Sequence, residues 1–333
     1  MNGYITLDYE LFLGESGTPE KCMVEPMNHL TKMTDKYGIK MNVFVDAAYL
    51  LRLRELKEDY LQLRMDYETV TNHIKELDAE GHAIQLHLHP QWCYSTFDGE
   101  KWLIDMDHYK LCDMQLKDQK KLIHDGVQFL NSLITRKVTA FRAGGYSVEN
   151  FPELYDTFLS EGIKIDSSVF PGEKKRSKYQ TYDYSKTPLK SCYSFFYNHK
   201  IESQKGDMIE FPLSTIVMPS FMYVVQQILD RKRKVESKYS KTIWGDGLSV
   251  GVQMGGGILL SFIAKLRLLY GKKAISSHIE DGDNVEKVYH DILKRKDWSD
   301  FIIIGHPKLL SPNSIHIFDS FIENHPEIDF KLL

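Results

Sequence analysis

Residues Asp66–His89 read DYETVTNHIKELDAEGHAIQLHLH: apolar residues at helical spacing, then a glycine, then an apolar run that ends in two histidines. The spacing predicts a helix over Asp66–Glu80 closed by Gly81, because glycine enters the left-handed backbone at a helix C-terminus without strain. His82–His89 then reads as a buried strand. The same alternation extends in both directions. Upstream, Tyr4–Tyr9 is a short β-prone run, Glu20–Tyr37 carries Met23, Met27, Leu30 and Met33 at helical spacing before Gly38, and Lys40–Val45 is a second strand. Downstream, a helix over Lys117–Thr135 leads to a strand at Val138–Arg142. Phe151–Glu161, closed by Gly162, leads to Ile163–Ser167. Strands alternating with helices imply a parallel sheet with crossover helices, either open or closed as a barrel.

The chain has 333 residues, 42% hydrophobic and 26% charged, which is ordinary globular usage and excludes a disordered, collagenous or disulfide-scaffold polypeptide. Its length suits two average domains or one large α/β barrel. A formal net charge of −4 offers no clustered basic face with counterions to release, so no nucleic-acid partner is expected. Cys22, Cys93, Cys112 and Cys192 are widely spaced, without a C-x-x-C pair, which fits a reducing compartment. The first residues show no export signal, and the longest apolar stretches are about ten residues, half of what a helix needs to cross a bilayer. The expected location is cytoplasmic.

The second half is less regular. Lys174–Lys205 reads as a polar and aromatic excursion over one face, and Met208–Leu213 and Phe301–Gly305 as further core strands. These features divide the chain into an α/β body, residues 1–215 plus 298–333, and a helical, partly basic insertion or subdomain, residues 216–297. Residues 216–273 carry ten Lys/Arg, including Arg231–Lys234, against three Asp/Glu. Amphipathic helices with basic ends could make peripheral contact with an anionic membrane or bind an acidic substrate; the alternative is a helical subdomain with a solvated basic face.

In parallel α/β folds, catalytic groups gather at the C-terminal ends of strands. Here five strand ends carry ionisable groups: Asp8-Tyr9-Glu10, His87-Leu88-His89, Arg142, Asp166 and His306. Each such group must be desolvated and paired, so a set converging on one rim points to a functional site. His87 and His89 are two apart on a strand and share a face. Two histidines and one carboxylate, Glu10 or Asp8, with a position left for water, form the ligand set of a catalytic metal. Two carboxylates in one pocket cannot both be free anions. One is therefore expected to bind metal, while the other, held ionised by Arg142, serves as a general base. His306 would protonate the leaving group, with Asp166 orienting its imidazole.

These residues resemble the polysaccharide deacetylase superfamily, the NodB-homology fold of carbohydrate esterase family four. The resemblance rests on Thr6-Leu7-Asp8-Tyr9-Glu10, Gly81–Pro90, Phe141-Arg142-Ala143-Gly144-Gly145-Tyr146, Ile165-Asp166-Ser167-Ser168 and Ile304-Gly305-His306-Pro307. It implies a deformed (β/α) barrel and one divalent metal, zinc first. It also implies hydrolysis of an N-acetyl group from an amino sugar, with a glycan intermediate of surface-glycan synthesis as substrate. Asp8 takes the place of the base, Glu10 and His87 of ligands, Arg142 of the motif arginine and His306 of the acid. Gly145 matches the oxyanion-binding position, beside Tyr146. Trp92, Tyr94, Trp102, Tyr109 and Phe170 fall in neighbouring loops where aromatics could stack on a sugar, and Trp92 is taken as a substrate contact.

Two departures from the family pattern stand out. Tyr9 separates the two acids of the first motif, and the family's H-x-x-x-H places Gln91 at the second histidine. His89 is expected to take over as ligand. Were neither His89 nor Gln91 to reach the metal, the chain would be a degenerate sugar-binding protein; a hydrolase of another small C–N bond is the other alternative.

Overall fold

The sequence explains the sheet through the parity of its first strand. In β1 (Asn2–Tyr9), Ile5, Leu7 and Tyr9 join the helix-facing core, whereas Tyr4 joins Ile302 and Ile304 in a second apolar cluster on the opposite face. A strand alternates faces with period two, so Thr6, Asp8 and Glu10 point the same way as Tyr4, into the barrel. The computed structural model describes residues 1–225, 238–249, 272–296 and 298–333.

β1 pairs in parallel with β2 (Asn42–Asp46) on one side and β14 (Asp300–Gly305) on the other. The parallel run continues through β3 (Ala83–Leu88), β6 (Ala140–Ala143), β7 (Ile165–Asp166) and β11 (Met208–Glu210). β10 (Tyr193–Phe195) adds antiparallel to β11, and β15 (Asp329–Phe330) pairs with the start of β1. The nine-stranded sheet curls but its ladder does not close. Ser214 and Ser277 span the gap between β11 and β14. Ser277 N donates to Ser214 O at 3.2 Å, and Ile302 N donates to Ser214 Oγ at 2.9 Å. This is the expected deformed (β/α) barrel.

Helices α1 (Glu25–Thr34), α3 (Leu61–Ala79), α4 (Leu116–Leu133) and α5 (Phe151–Ser160) occupy the positions read from the apolar spacing. Met23, Met27, Leu30, Val70, Ile74, Leu77 and Val127 are fully or almost fully buried against the sheet, each burial contributing roughly 1.5–3 kcal/mol. Gly81, at φ 95°, closes the passage from α3 to β3. α2 (Ala47–Leu56) follows β2 without an intervening loop; its near-continuous apolar start carries no clear helical period to mark it in the sequence.

The described part of residues 216–297 contains strand, turn and helix. β12 (Thr215–Pro219) and β13 (Lys272–Ser276) pair antiparallel. The turn Ile279–Asp281 and α6 (Asn284–Ile292) follow, and Ile279, Val285, Val288, Tyr289 and Ile292 enter the main core. Residues 226–237 and 250–271, with Arg231–Lys234, lie outside the described residues, and the membrane-contact expectation rests on them. No helix among the described residues is long and apolar enough to cross a membrane. The excursion after β7 contains a hairpin, β8 (Lys174–Arg176) with β9 (Thr181–Asp183). A shorter ribbon, β4 (Thr96–Phe97) with β5 (Trp102–Leu103), precedes α4, and α7 (Pro312–Asn324) follows β14.

Candidate active site

The strand ends read from the sequence meet over a cavity of about 610 Å³ lined by Asp8, Glu10, His89, Tyr146, His278 and His306, among others. Glu10 leaves β1 beside His87, in β3, and His89, one residue past it, and one ligand atom from each lies within 4.8 Å of the others. The arrangement is oriented from behind. His87 Nδ1 lies 2.9 Å from the carbonyl oxygen of Arg142, which can only accept, so Nδ1 donates and Nε2 faces Glu10 Oε2 at 3.3 Å. His89 Nε2 contacts the same carboxylate oxygen. Lys308 Nζ, also buried, donates to Glu10 Oε1 and to the Leu11 carbonyl, each at 2.8 Å. Burial opposes charge on Glu10, but Lys308, His89 and His87 override it and hold the carboxyl well below its ordinary range.

Two imidazole Nε2 atoms and an ionised carboxylate oxygen fit a divalent metal, and the carbonyl behind His87 is the kind of second partner that orients a metal-ligating histidine. His89 stands in this set. Gln91 lies in the following turn, fully buried, and its amide makes no hydrogen bond among the described residues. The sequence reading missed the group that holds His89: Asp46, at the end of β2, accepts from the His89 backbone N–H at 3.1 Å. That reading ended the strand at Val45, one residue short.

Asp8 and Arg142 form a buried pair, Arg142 Nη1 donating to Asp8 Oδ1 at 2.7 Å. The rest of the guanidinium is spent on Thr6 Oγ1 (2.8 Å), Ser167 Oγ (3.0 Å) and the Ser167 carbonyl (2.9 Å), and it lies over the Phe44 ring at 4.3 Å. Burial raises the Asp8 pKa, yet Arg142, with His87 and His306, outweighs it and leaves the carboxyl below its usual value. Arg142 therefore keeps an anion in the wall of the cavity.

His306 sits across from Asp8, its Nε2 3.6 Å from Asp8 Oδ2. Its Nδ1 is bonded at 2.6 Å to Glu280 Oε1, not to Asp166. This corrects the expected partner. Burial opposes protonation of the ring, but Glu280 and Asp8 raise its pKa to about 9. Asp166 instead accepts from Ser168 Oγ at 2.6 Å and neighbours Glu210 across the β7–β11 register. Burial raises Asp166 to about 6, and burial with Asp166 alongside raises Glu210 well above the carboxylate range. Glu280 was missed because it lies in a polar turn with no strand or helix period to mark it. The same turn supplies His278, stacked on His306 at 5.5 Å with its Nε2 3.3 Å from the Tyr146 hydroxyl.

Gly145 and Tyr146 line the cavity, both in the left-handed region at φ 54° and 60°. Glycine adopts that backbone freely and tyrosine does so at a cost, which the bond from Tyr184 Oη to the Tyr146 carbonyl at 2.8 Å helps to fix. Tyr109 and Phe170 also line the cavity. Trp92 does not. It is wholly buried, packed against Tyr49 and Trp102 at ring distances of 4.8 and 5.2 Å, and is corrected from substrate contact to core. Trp102 shares that core, and Tyr94 stacks on His108 and lines a separate depression.

No protein-family model matches the chain, and no curated protein does. Among solved structures it is similar to a chain described as a candidate polysaccharide deacetylase from Mycobacterium smegmatis, with 12% identity, TM-score 0.46, and coverage of 97% of this chain and 82% of that one. It is similar also to a family 4 carbohydrate esterase from Streptomyces lividans, with 11% identity, TM-score 0.32, and coverage of 50% and 61%. A third is a family 4 pseudoenzyme from Bacillus anthracis, with 11% identity, TM-score 0.30, and coverage of 49% and 41%. The chain spans 82% of the length of the first of these, but only 61% and 41% of the other two.

Proposed function

We propose that the protein is a metal-dependent hydrolase of the polysaccharide deacetylase superfamily that removes an N-acetyl group from an amino sugar. The observation that carries this reading is the meeting, in one cavity, of a Glu/His/His ligand set, a buried anion and a buried cation. Glu10, His87 and His89 would hold the metal. When bound, a divalent ion supplies Lewis acidity to the amide carbonyl and to the attacking water. Zinc suits the donor set, two imidazoles and a carboxylate.

The chain's own residues do the rest. Asp8, kept ionised by Arg142, accepts a proton from the attacking water. His306, kept protonated by Glu280, donates a proton to the departing nitrogen, which leaves as the amine. Acid and base face each other across the cavity with opposite charge at neutral pH, and that is the protonation pattern amide hydrolysis requires. The Gly145 backbone N–H serves the oxyanion, and Tyr109, Tyr146 and Phe170 present aromatic faces to a sugar ring. An N-acetylated intermediate of surface-glycan synthesis, carried in the cytoplasm, is the proposed substrate. An acetate-release screen over N-acetylated sugars and small amides, with metal-loaded protein, tests the reading. Release from a sugar supports it, release only from small amides points to another C–N hydrolase, and no release with metal bound overturns it.

A further inference from the structure

A second set of ligand-type side chains meets outside the cavity, where α6 approaches the residues after α7. Glu286 and His290 are one turn apart on α6, and His290 Nε2 reaches Glu286 Oε1 at 2.7 Å. His325, which ends α7, brings its own Nε2 to 3.0 Å from the same oxygen. One ligand atom from each of the three lies within 4.8 Å of the others.

The far side of His325 distinguishes this set from an ordinary surface ion pair. Its Nδ1 bonds Glu327 Oε1 at 3.1 Å, and Glu327 in turn accepts from the Tyr289 hydroxyl at 2.6 Å. A carboxylate on the remote ring nitrogen fixes the tautomer and aims the near nitrogen outward, the support that metal-ligating histidines carry. Tyr289 and Phe321 pack on the His325 ring at 4.5 and 4.8 Å, so its direction is set before any ion arrives.

We propose that Glu286, His290 and His325 bind a divalent transition-metal ion that clips α6 to the chain beyond α7. Two imidazoles and one carboxylate favour zinc or a similar borderline ion over magnesium or calcium, and leave one position for water. Ligand atoms around a tetrahedral zinc ion stand about 3.4 Å apart. The contacts at 2.7 and 3.0 Å need open only slightly, at side chains that are part-buried or exposed.

The test is zinc stoichiometry by elemental analysis after dialysis against excess free zinc, for the full chain and for His290→Ala, Glu286→Gln and His87→Ala. His290 is more than half exposed, so its truncation removes a ligand without opening the core. Two ions are expected in the wild type and one in each variant, with the Glu286/His290/His325 ion retained in His87→Ala. A single ion that survives His87→Ala and is lost in His290→Ala upholds the clip while removing the active-site metal. The clip is overturned if His290→Ala and Glu286→Gln hold as much zinc as the wild type, or if the wild type holds none.

Discussion

Asp8 and Asp166 are both buried aspartates at the C-terminal rim of the barrel, both within the field of Arg142, yet their carboxyl pKa values are shifted in opposite directions. Burial raises both. The difference lies in what touches each carboxyl. Asp8 receives a guanidinium N–H directly, whereas three further N–H bonds of Arg142 go to Thr6 and Ser167 and none to Asp166. Asp166 is left with a serine hydroxyl and a second carboxyl, Glu210. An arginine near two acids thus does not serve both alike; its fixed fork selects one, and the other is left beside a second carboxyl. One rim position is kept as a base, the other as half of a buried carboxyl pair.

The contrast can be broken most sharply at the chemistry. Asp8→Asn removes the proton acceptor and is expected to lower the rate of acetate release by about 10²–10⁴-fold, while Asp166→Asn changes it only a few-fold. Steady-state rates on one N-acetylated sugar check both. Next in size is the loss of the cation. Arg142→Leu leaves Asp8 buried without its partner and is expected to cost about 3–5 kcal/mol of stability, read from denaturant midpoints. Adding Asp8→Asn should recover a large part of that cost, because the stranded charge is then gone.

Smaller effects sharpen the comparison through pH. The alkaline limb of the rate profile is expected near the His306 value of about 9. Glu280→Gln should move that limb down toward the ordinary imidazole value, about 6.5, with the acid limb unchanged; a limb that stays in place removes Glu280 from the role. At Asp166 the sign runs the other way from a salt-bridged acid. Its folded pKa is raised to about 6, so the native state binds the proton more tightly, and stability falls as pH rises from the unfolded value of about 3.9 toward the folded one. The slope is at most about 1.4 kcal/mol per pH unit for each proton. Asp166→Asn should flatten it, as measured by urea unfolding at several pH values.

Much of this was legible before any coordinates. β1, β3 and β6, with the crossovers between them, follow from apolar runs, helical spacing and closing glycines, and these strands deliver Asp8, Glu10, His87 and Arg142. His89 was expected beside Glu10 and stands there. What was not legible depends on contacts between distant segments. Glu280 reaches His306 through a turn whose sequence carries no periodic signal, and Lys308 reaches Glu10 from the far end of the chain. Asp46 was lost to a one-residue error in a strand end. Trp92 was misread because adjacency to a histidine motif says nothing about which way a loop aromatic turns; here it closes a cluster with Tyr49 and Trp102.

The claim on which the functional reading turns is that His89, and not position 91, completes the metal set with Glu10 and His87. Metal content of His290→Ala protein, in which the surface clip cannot contribute, tests it when compared with the same protein carrying His89→Ala or Gln91→Ala. One ion per chain, lost with His89→Ala and kept with Gln91→Ala, is the expected result. An ion kept without His89 and lost without Gln91, or no ion in any of the three, would contradict the account.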